Sequence, residues 1–250
     1  AKVSSSVNIG PYSVIGPNVE IGEDVIIHSH VNISGNTIIG SGNKIYPFAS
    51  IGNDPQDLKY NNEKTYVEIG DNVTIRECTT INKGTNDRNK TVVGNNCLIM
   101  AYSHIAHDCI VGDNCIFSNS TTLAGHVTVG DYVIISGFVA VHQFCSIGNH
   151  AFVTGGCLVR KDVPPYVKAA RVPMSYLGIN SVGLRRRGFK SEKIKEIQSI
   201  YRILYQKSYN NTQACEIIEA EMEASNERDE ILQFIRNSHR GIMKGYIKSS

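Results

Sequence analysis

The chain has 250 residues, a formal net charge of +2 at pH 7 and 41% hydrophobic residues. That length allows one large domain or two modest ones, and no apolar run is long enough to span a bilayer as a helix. No signal peptide is visible at the first residues and stable membrane insertion is not expected; the chain opens on Ala1 rather than Met, so its true start is expected to lie upstream. The charge is uneven. Residues 1–159 carry 8 Lys and Arg against 13 Asp and Glu, and residues 160–250 carry 17 against 10. A basic C-terminal third points to an acidic partner, against the plainer reading of solvated helix faces.

A six-residue repeat organises the chain. Units open on an aliphatic residue at Val3, Ile9, Ile15, Ile21 and so on to Ile51, resume at Ile69, Ile75 and Ile81, and run again from Val93 to Val159. A small residue fills the fifth place, as in Ser103, Cys109, Cys115 and Thr121. The fifth, sixth and next first places form a short strand reading in, out, in. Places two to four turn a corner, where Gly or Asn suits the backbone. The expected fold is a parallel β-helix with coils about 4.8 Å apart, stabilised between neighbouring coils as in other repeat proteins. The repeat breaks at Asp57–Glu68 and Asp87–Val92, two polar stretches expected to leave the coil as loops.

The register ends at Asp162–Tyr166, where two prolines stop the ladder. Beyond it the period becomes helical. Ile194, Ile197, Ile200, Tyr201 and Leu204 mark one stripe, with Ser191 as N-cap. Ala214, Ile217, Ile218 and Met222 mark a second, and Ile231, Leu232 and Ile235 a third. The expected organisation is a mainly β repeat domain, residues 1–166, followed by a small helical domain, residues 167–250. Five of the seven cysteines, Cys97, Cys109, Cys115, Cys145 and Cys157, fall in the small-residue place. They are expected to be reduced core fillers, which implies a reducing compartment and a cytoplasmic location.

Three hexads per coil would stack residues 18 apart. His107, Gly125 and Gln143 then share one column, flanked by His126 and His142. Three readings of this cluster stand side by side. His107 is a general base with the Gly125 N–H facing an oxyanion; or the histidines bind zinc between subunits; or they are exposed polar residues on a corner.

The hexads together with SHIAHDCIVGDNC, TLAGHVTVG, AVHQF, QDLKY, DVPPYV and GLRRRGF closely resemble the UDP-N-acetylglucosamine O-acyltransferase family, over almost the whole chain. The resemblance implies a left-handed β-helix, an exception to the usual right-handed crossover. It implies a homotrimer with sites between subunits, and no cofactor or metal beyond the acyl carrier protein that supplies the acyl group. The reaction implied is transfer of a 3-hydroxyacyl group to the 3-hydroxyl of UDP-N-acetylglucosamine, the first step of lipid A biosynthesis. No nucleic-acid partner is expected.

By the same resemblance His107 is the base, Asp108 helps to hold it, and Gly125 is the oxyanion glycine. His104, His126, His142 and Gln143 position substrate, and Gln56, Asp57 and Lys59 lie near the sugar and acyl chain. Gly155 belongs to the acyl pocket. Asn180, Arg186 and Arg187 contact the nucleotide, Arg being suited to diphosphate by its planar fork. This sequence has Pro173 where the family often has a limiting histidine, and Val182 where an acidic residue is common; a long acyl chain is expected, with Met174 able to close the tunnel instead. About one coil at the N-terminus is expected to be missing relative to the family. The competing assignments are a sugar-nucleotide N-acyltransferase, a zinc-dependent hydratase on the same scaffold, or a non-catalytic assembly protein. A corner imidazole contributes little to a core, so replacing His107 is expected to leave the melting temperature nearly unchanged.

Overall fold

Alternation of buried openers with outward sixth-place residues closes the chain into a three-faced coil. The computed structural model describes residues 1–207 and 209–245. Its strands, mostly two residues long, form three parallel sheets. The first face runs from Lys2–Val3 to Ser146–Ile147, the second from Asn8–Ile9 to Phe152–Val153, and the third from Val14–Ile15 to Leu158–Val159. Register steps of 18 residues, such as Ile110 opposite Thr128 and His104 opposite Thr122, confirm three hexads per coil. Openers such as Ile99, Ile105, Phe117 and Leu123 are fully buried inside. Each contributes roughly 1.5–3 kcal/mol by leaving water. All seven cysteines are free thiols, and those in the repeat's fifth place are buried, so they fill the core as expected.

The corners work differently from the sequence reading. The left-handed backbone falls at the fourth place, and it is mostly not glycine there: Tyr102, Asp108, Asn114, Ser120, His126, Tyr132, Phe138 and Phe144 all have φ between 57° and 63°. Such a residue costs roughly 1–2 kcal/mol in isolation. Here its N–H donates to the preceding coil, as His126 N does to His107 O at 3.0 Å and Phe144 N to Gly125 O at 3.2 Å. The glycines at the second place serve close approach instead. A Cβ on Gly112 would lie 2.9 Å from the Asp131 nitrogen of the next coil.

Both breaks in the repeat are loops, but their bounds shift. The strand Tyr66–Ile69 is already back in the first face, so the first loop covers 54–65 rather than Asp57–Glu68. The strand Lys90–Val93 is likewise in the ladder, so the second covers 83–89 rather than Asp87–Val92. The hexad count fixes how many residues are extra; which of them leave the coil is decided by where pairing resumes. Both loops depart from the same corner, between the third and first faces.

Past residue 166 the second face continues through Val167–Ala170, parallel to Phe152–Val153, and then an antiparallel strand, Ser175–Ile179. The helices begin only at Ser181: α1 (Ser181–Arg186), α2 (Ser191–Gln206), α3 (Asn211–Glu221) and α4 (Asn226–Arg236). Ser191 is not the N-cap of α2. Lys190 holds that place without a side-chain bond, and the helix is fixed by its buried stripe of Ile194, Ile197, Ile200, Tyr201 and Leu204. The buried Tyr201 hydroxyl donates to Pro165 O at 2.6 Å, which ties α2 to the end of the coil.

Candidate active site

The corner between the third and first faces carries His107, then Gly125 one coil on, then Gln143. Stacking brings them together as the 18-residue column requires. A Cβ on Gly125 would sit 2.5 Å from His107 Cε1 and 2.7 Å from Nε2, so the glycine lies directly on the imidazole. Among the described residues the Gly125 N–H donates to no protein acceptor.

His107 Nδ1 lies 2.8 Å from Asp108 Oδ2. Asp108 is fully buried. Burial works against its charge, but hydrogen bonds from His107 and from the Thr85 side chain and backbone outweigh it, and the carboxyl is held at about 2. A carboxylate only accepts, so the imidazole proton belongs on Nδ1. Nε2 is left with its lone pair, as a general base needs.

His126 packs edge-on to His107 with ring centroids 5.0 Å apart, and stacks on Phe144 at 4.4 Å. Its Nδ1 is 3.0 Å from Asp87 Oδ2 and 3.8 Å from Asp108 Oδ2, close enough for ion pairing but without hydrogen-bond alignment. Burial pushes its pKa down, and Asp108 pulls the other way. His104, also lowered by burial and then by His107, shares a hydrogen bond with Thr80 Oγ1 at 2.7 Å. His142 and Gln143, two coils on from His104, are exposed, with His142 Nδ1 3.0 Å from Gln143 O.

The loops complete this corner. An open cleft of about 310 Å³ is lined by Asp57, Lys59 and Tyr60 of the first loop, Thr85 and Asp87 of the second, and His126 with Phe144. Lys83 joins the loops through Asp54, at 2.8 Å. Gln56 is exposed in the first loop and does not line the cleft. Sequence reasoning missed Thr85, Asp87 and Arg88; the only signal was that the second break in the repeat stood close before His107.

One metal-competent trio exists among the described residues. Ligand atoms of His107, Asp108 and His126 lie within 4.8 Å of one another. Both Asp108 oxygens already accept two hydrogen bonds each, from Thr85, Arg88 and His107. A cation would have to displace these, so the donor set suits an oriented imidazole better than a metal.

The remaining predicted residues stand elsewhere. Gly155 is exposed at the corner between the second and third faces, where an added Cβ would press on Gly137 O at 3.2 Å. The outer row of the third face leads from His104 through Thr122 and Ala140 to Leu158. It ends at a cleft of about 280 Å³ lined by Leu158, Val172, Pro173, Met174 and the cations Arg160, Lys161 and Arg171.

Asn180 and Arg187 lie at the corner between the first and second faces. Asn180 caps α1 through Gly183 N and donates to His150 O at 2.9 Å. Arg187 donates to Tyr132 O at 2.9 Å, and Arg186 is exposed. His150 stacks between Tyr132 and Tyr166. Burial, and then the Arg187 charge, lower its pKa to about 4, against a smaller opposite pull from Asp131 and Glu227. The folded state therefore refuses a proton that the unfolded chain takes near pH 6.5. Stability should fall as pH drops from about 6.5 to about 4 on this account. His150→Phe keeps the stack and removes the titration, so its melting temperature should drop less than that of the parent between pH 7 and pH 4.5.

Coil, loop-lined histidine corner and terminal helices together define a hexapeptide-repeat acyltransferase. Two family profiles match: bacterial transferase hexapeptide (six repeats) at residues 1–35 and 90–125, and UDP N-acetylglucosamine O-acyltransferase, domain 2, at 162–243. An acyl-[acyl-carrier-protein]--UDP-N-acetylglucosamine O-acyltransferase of Psychromonas ingrahamii is 58% identical over 219 residues, 87% of this chain and 84% of that one. The protein of the same name from Thermodesulfovibrio yellowstonii is 43% identical over 98% of this chain and 95% of its own. The solved Francisella novicida UDP-N-acetylglucosamine acyltransferase superposes with a TM-score of 0.94 at 45% identity, covering 97% and 90%. The chain belongs to the UDP-N-acetylglucosamine O-acyltransferase family, and its coil is a left-handed β-helix.

Proposed function

We propose that this enzyme transfers a 3-hydroxyacyl group from acyl carrier protein to the 3-hydroxyl of UDP-N-acetylglucosamine, the opening step of lipid A biosynthesis. The observation that carries the mechanism is the Asp108–His107 pair under Gly125. His107 Nε2 takes the proton of the sugar hydroxyl, and its oxygen attacks the thioester carbonyl. The Gly125 N–H donates to the oxyanion that develops. Collapse of the tetrahedral species expels the carrier-protein thiolate, which takes the proton back from the imidazolium. Asp108 stays ionised throughout, so it orients the ring and stabilises its charge without taking the proton. An N-acyltransferase or hydratase reading is not favoured by relatives named as O-acyltransferases. Mass-spectrometric detection of acylated product from UDP-N-acetylglucosamine and a panel of 3-hydroxyacyl carrier proteins tests the assignment; no product with any of them would reject it.

The working form is a homotrimer. His107, Gly155 and Asn180 with Arg187 occupy three different corners of one chain. A single copy leaves its histidine corner an open cleft, whereas ligand sites are concave and largely enclosed; a neighbour's corner would close it. Sedimentation should give about three times the 27.5 kDa chain mass, and a fully active monomer would end the idea.

The acyl chain follows the third face toward Leu158 and the cleft at Pro173, so a long chain is favoured. Carrier protein, being acidic, docks on the basic C-terminal third, including Arg240 and Lys244. Screening acts within about 10 Å at 0.1 M salt. The carrier-protein KM should therefore rise with salt and on charge reversal at Arg240 and Lys244; an unmoved KM would reject this surface. The seven cysteines are free thiols, which suits the proposed work in a reducing cytoplasm; no described helix is long and apolar enough to cross a membrane.

A further inference from the structure

The second loop is folded around one carboxylate. Thr85 N donates to Asp108 Oδ1 at 2.9 Å, and Arg88 N reaches the same oxygen at 3.3 Å. Thr85 Oγ1 donates to Oδ2 at 2.6 Å, the oxygen that also meets His107 Nδ1. Asn89 N closes the turn on Thr85 O at 2.8 Å. The Arg88 guanidinium then ties the loop to the coil, donating to the Asp108 carbonyl at 3.0 Å and to Thr128 Oγ1, one coil on, at 3.2 Å. Asp108 itself sits in the left-handed region, φ 59°, where a side chain persists only if its surroundings over-determine it. Its N–H is held too, by Thr91 Oγ1 at 2.9 Å.

A buried carboxylate with four donors has one orientation. Rotate it, and Oδ2 no longer faces His107 Nδ1. From this geometry we infer that Thr85 and Arg88 are positioning residues for the reaction: they aim Asp108, and through it they fix the tautomer and the tilt of the His107 ring. Neither touches the reacting atoms as placed here. Partners of this kind, one bond removed from a catalytic imidazole, are commonly worth 10–100-fold in activity, because small misplacements of a base are costly. The inference rests on His107 being the base.

A double-mutant cycle in the intact enzyme tests it. Thr85→Val keeps shape and the backbone N–H but removes the hydroxyl donor. It should lower kcat about 10-fold or more, with KM for the UDP-sugar within about 2-fold of the parent. Thr85→Ser restores the hydroxyl and should recover most of that loss. Arg88→Gln should behave like Thr85→Val. In a His107→Asn background, Thr85→Val should cost almost nothing further, because the ring it aims is gone. Full additivity of the two losses, or a Thr85→Ser variant as impaired as Thr85→Val, would overturn the positioning role. Retention of near-parental kcat by His107→Asn alone would overturn the base assignment beneath it, and is read separately from the cycle.

Discussion

Replacing His107 by Ala should lower kcat by about 10²–10⁴-fold, the usual contribution of general acid–base catalysis. KM should move much less, because proton transfer belongs to the transition state. The reason lies in two contacts. Nδ1 is committed to an ionised Asp108, which leaves Nε2 as the only free basic nitrogen on the ring. His126, the nearest neighbour, has its ring across the His107 edge and its Nδ1 toward Asp87 and Asp108, so it is not placed to take over. The structure revises what the same variant does to stability. Asp108 is fully buried, and His107 is one of its donors. Removing a partner from a buried acceptor costs about 1–3 kcal/mol, so His107→Ala should melt measurably lower, not unchanged. His107→Asn can return an amide donor to Asp108 and should regain stability without activity. Steady-state kinetics beside thermal unfolding separate the two effects. A folded His107→Ala enzyme with more than about a tenth of parental kcat would remove the base role.

The second large effect is expected from Gly125→Ala. The φ of Gly125 is not in the left-handed region, so the backbone itself would accept alanine. The added methyl would instead meet His107 Cε1 at 2.5 Å and Nε2 at 2.7 Å. One of them must move, and the coil backbone at this corner is held by the bond from Phe144 N to Gly125 O. The ring is therefore what gives way. A displacement near 1 Å can cost about 10²-fold, so kcat should fall on that order while the N–H of residue 125 is still present. Gly112→Ala is the informative control. Its Cβ would press on the next coil at Asp131 Oδ1 and at Asp131 N, 2.9 Å away, on the corner between the first and second faces rather than the one that carries His107. It should reduce stability and leave the kcat of the folded fraction intact. Equal kcat for Gly125→Ala and the parent would show that His107 does not need its observed place.

The sequence by itself determined the coil. Hexads fix the inside of every strand because burial has a period, and a three-hexad coil then dictates that His107, Gly125 and Gln143 stack. That stack is the heart of the candidate site, and the spacing alone located it. The helical stripes of the C-terminal third were legible for the same reason. The bounds of the loops were not, since a break in period counts the extra residues without saying which pair with a neighbouring strand. Nor was the role of glycine at the second place, which answers to the coil above it rather than to its own backbone angle. Tertiary structure alone decided what surrounds the base. Thr85, Asp87 and Arg88 carry no period, and they reach Asp108 and His126 across 20 to 40 residues of chain, because a flexible loop can meet any group its length allows. It also decided that Asn180 and Arg187 lie on another corner from His107: both follow the end of the hexads, so no period places them, and their corner is set by the bonds to His150 O and Tyr132 O.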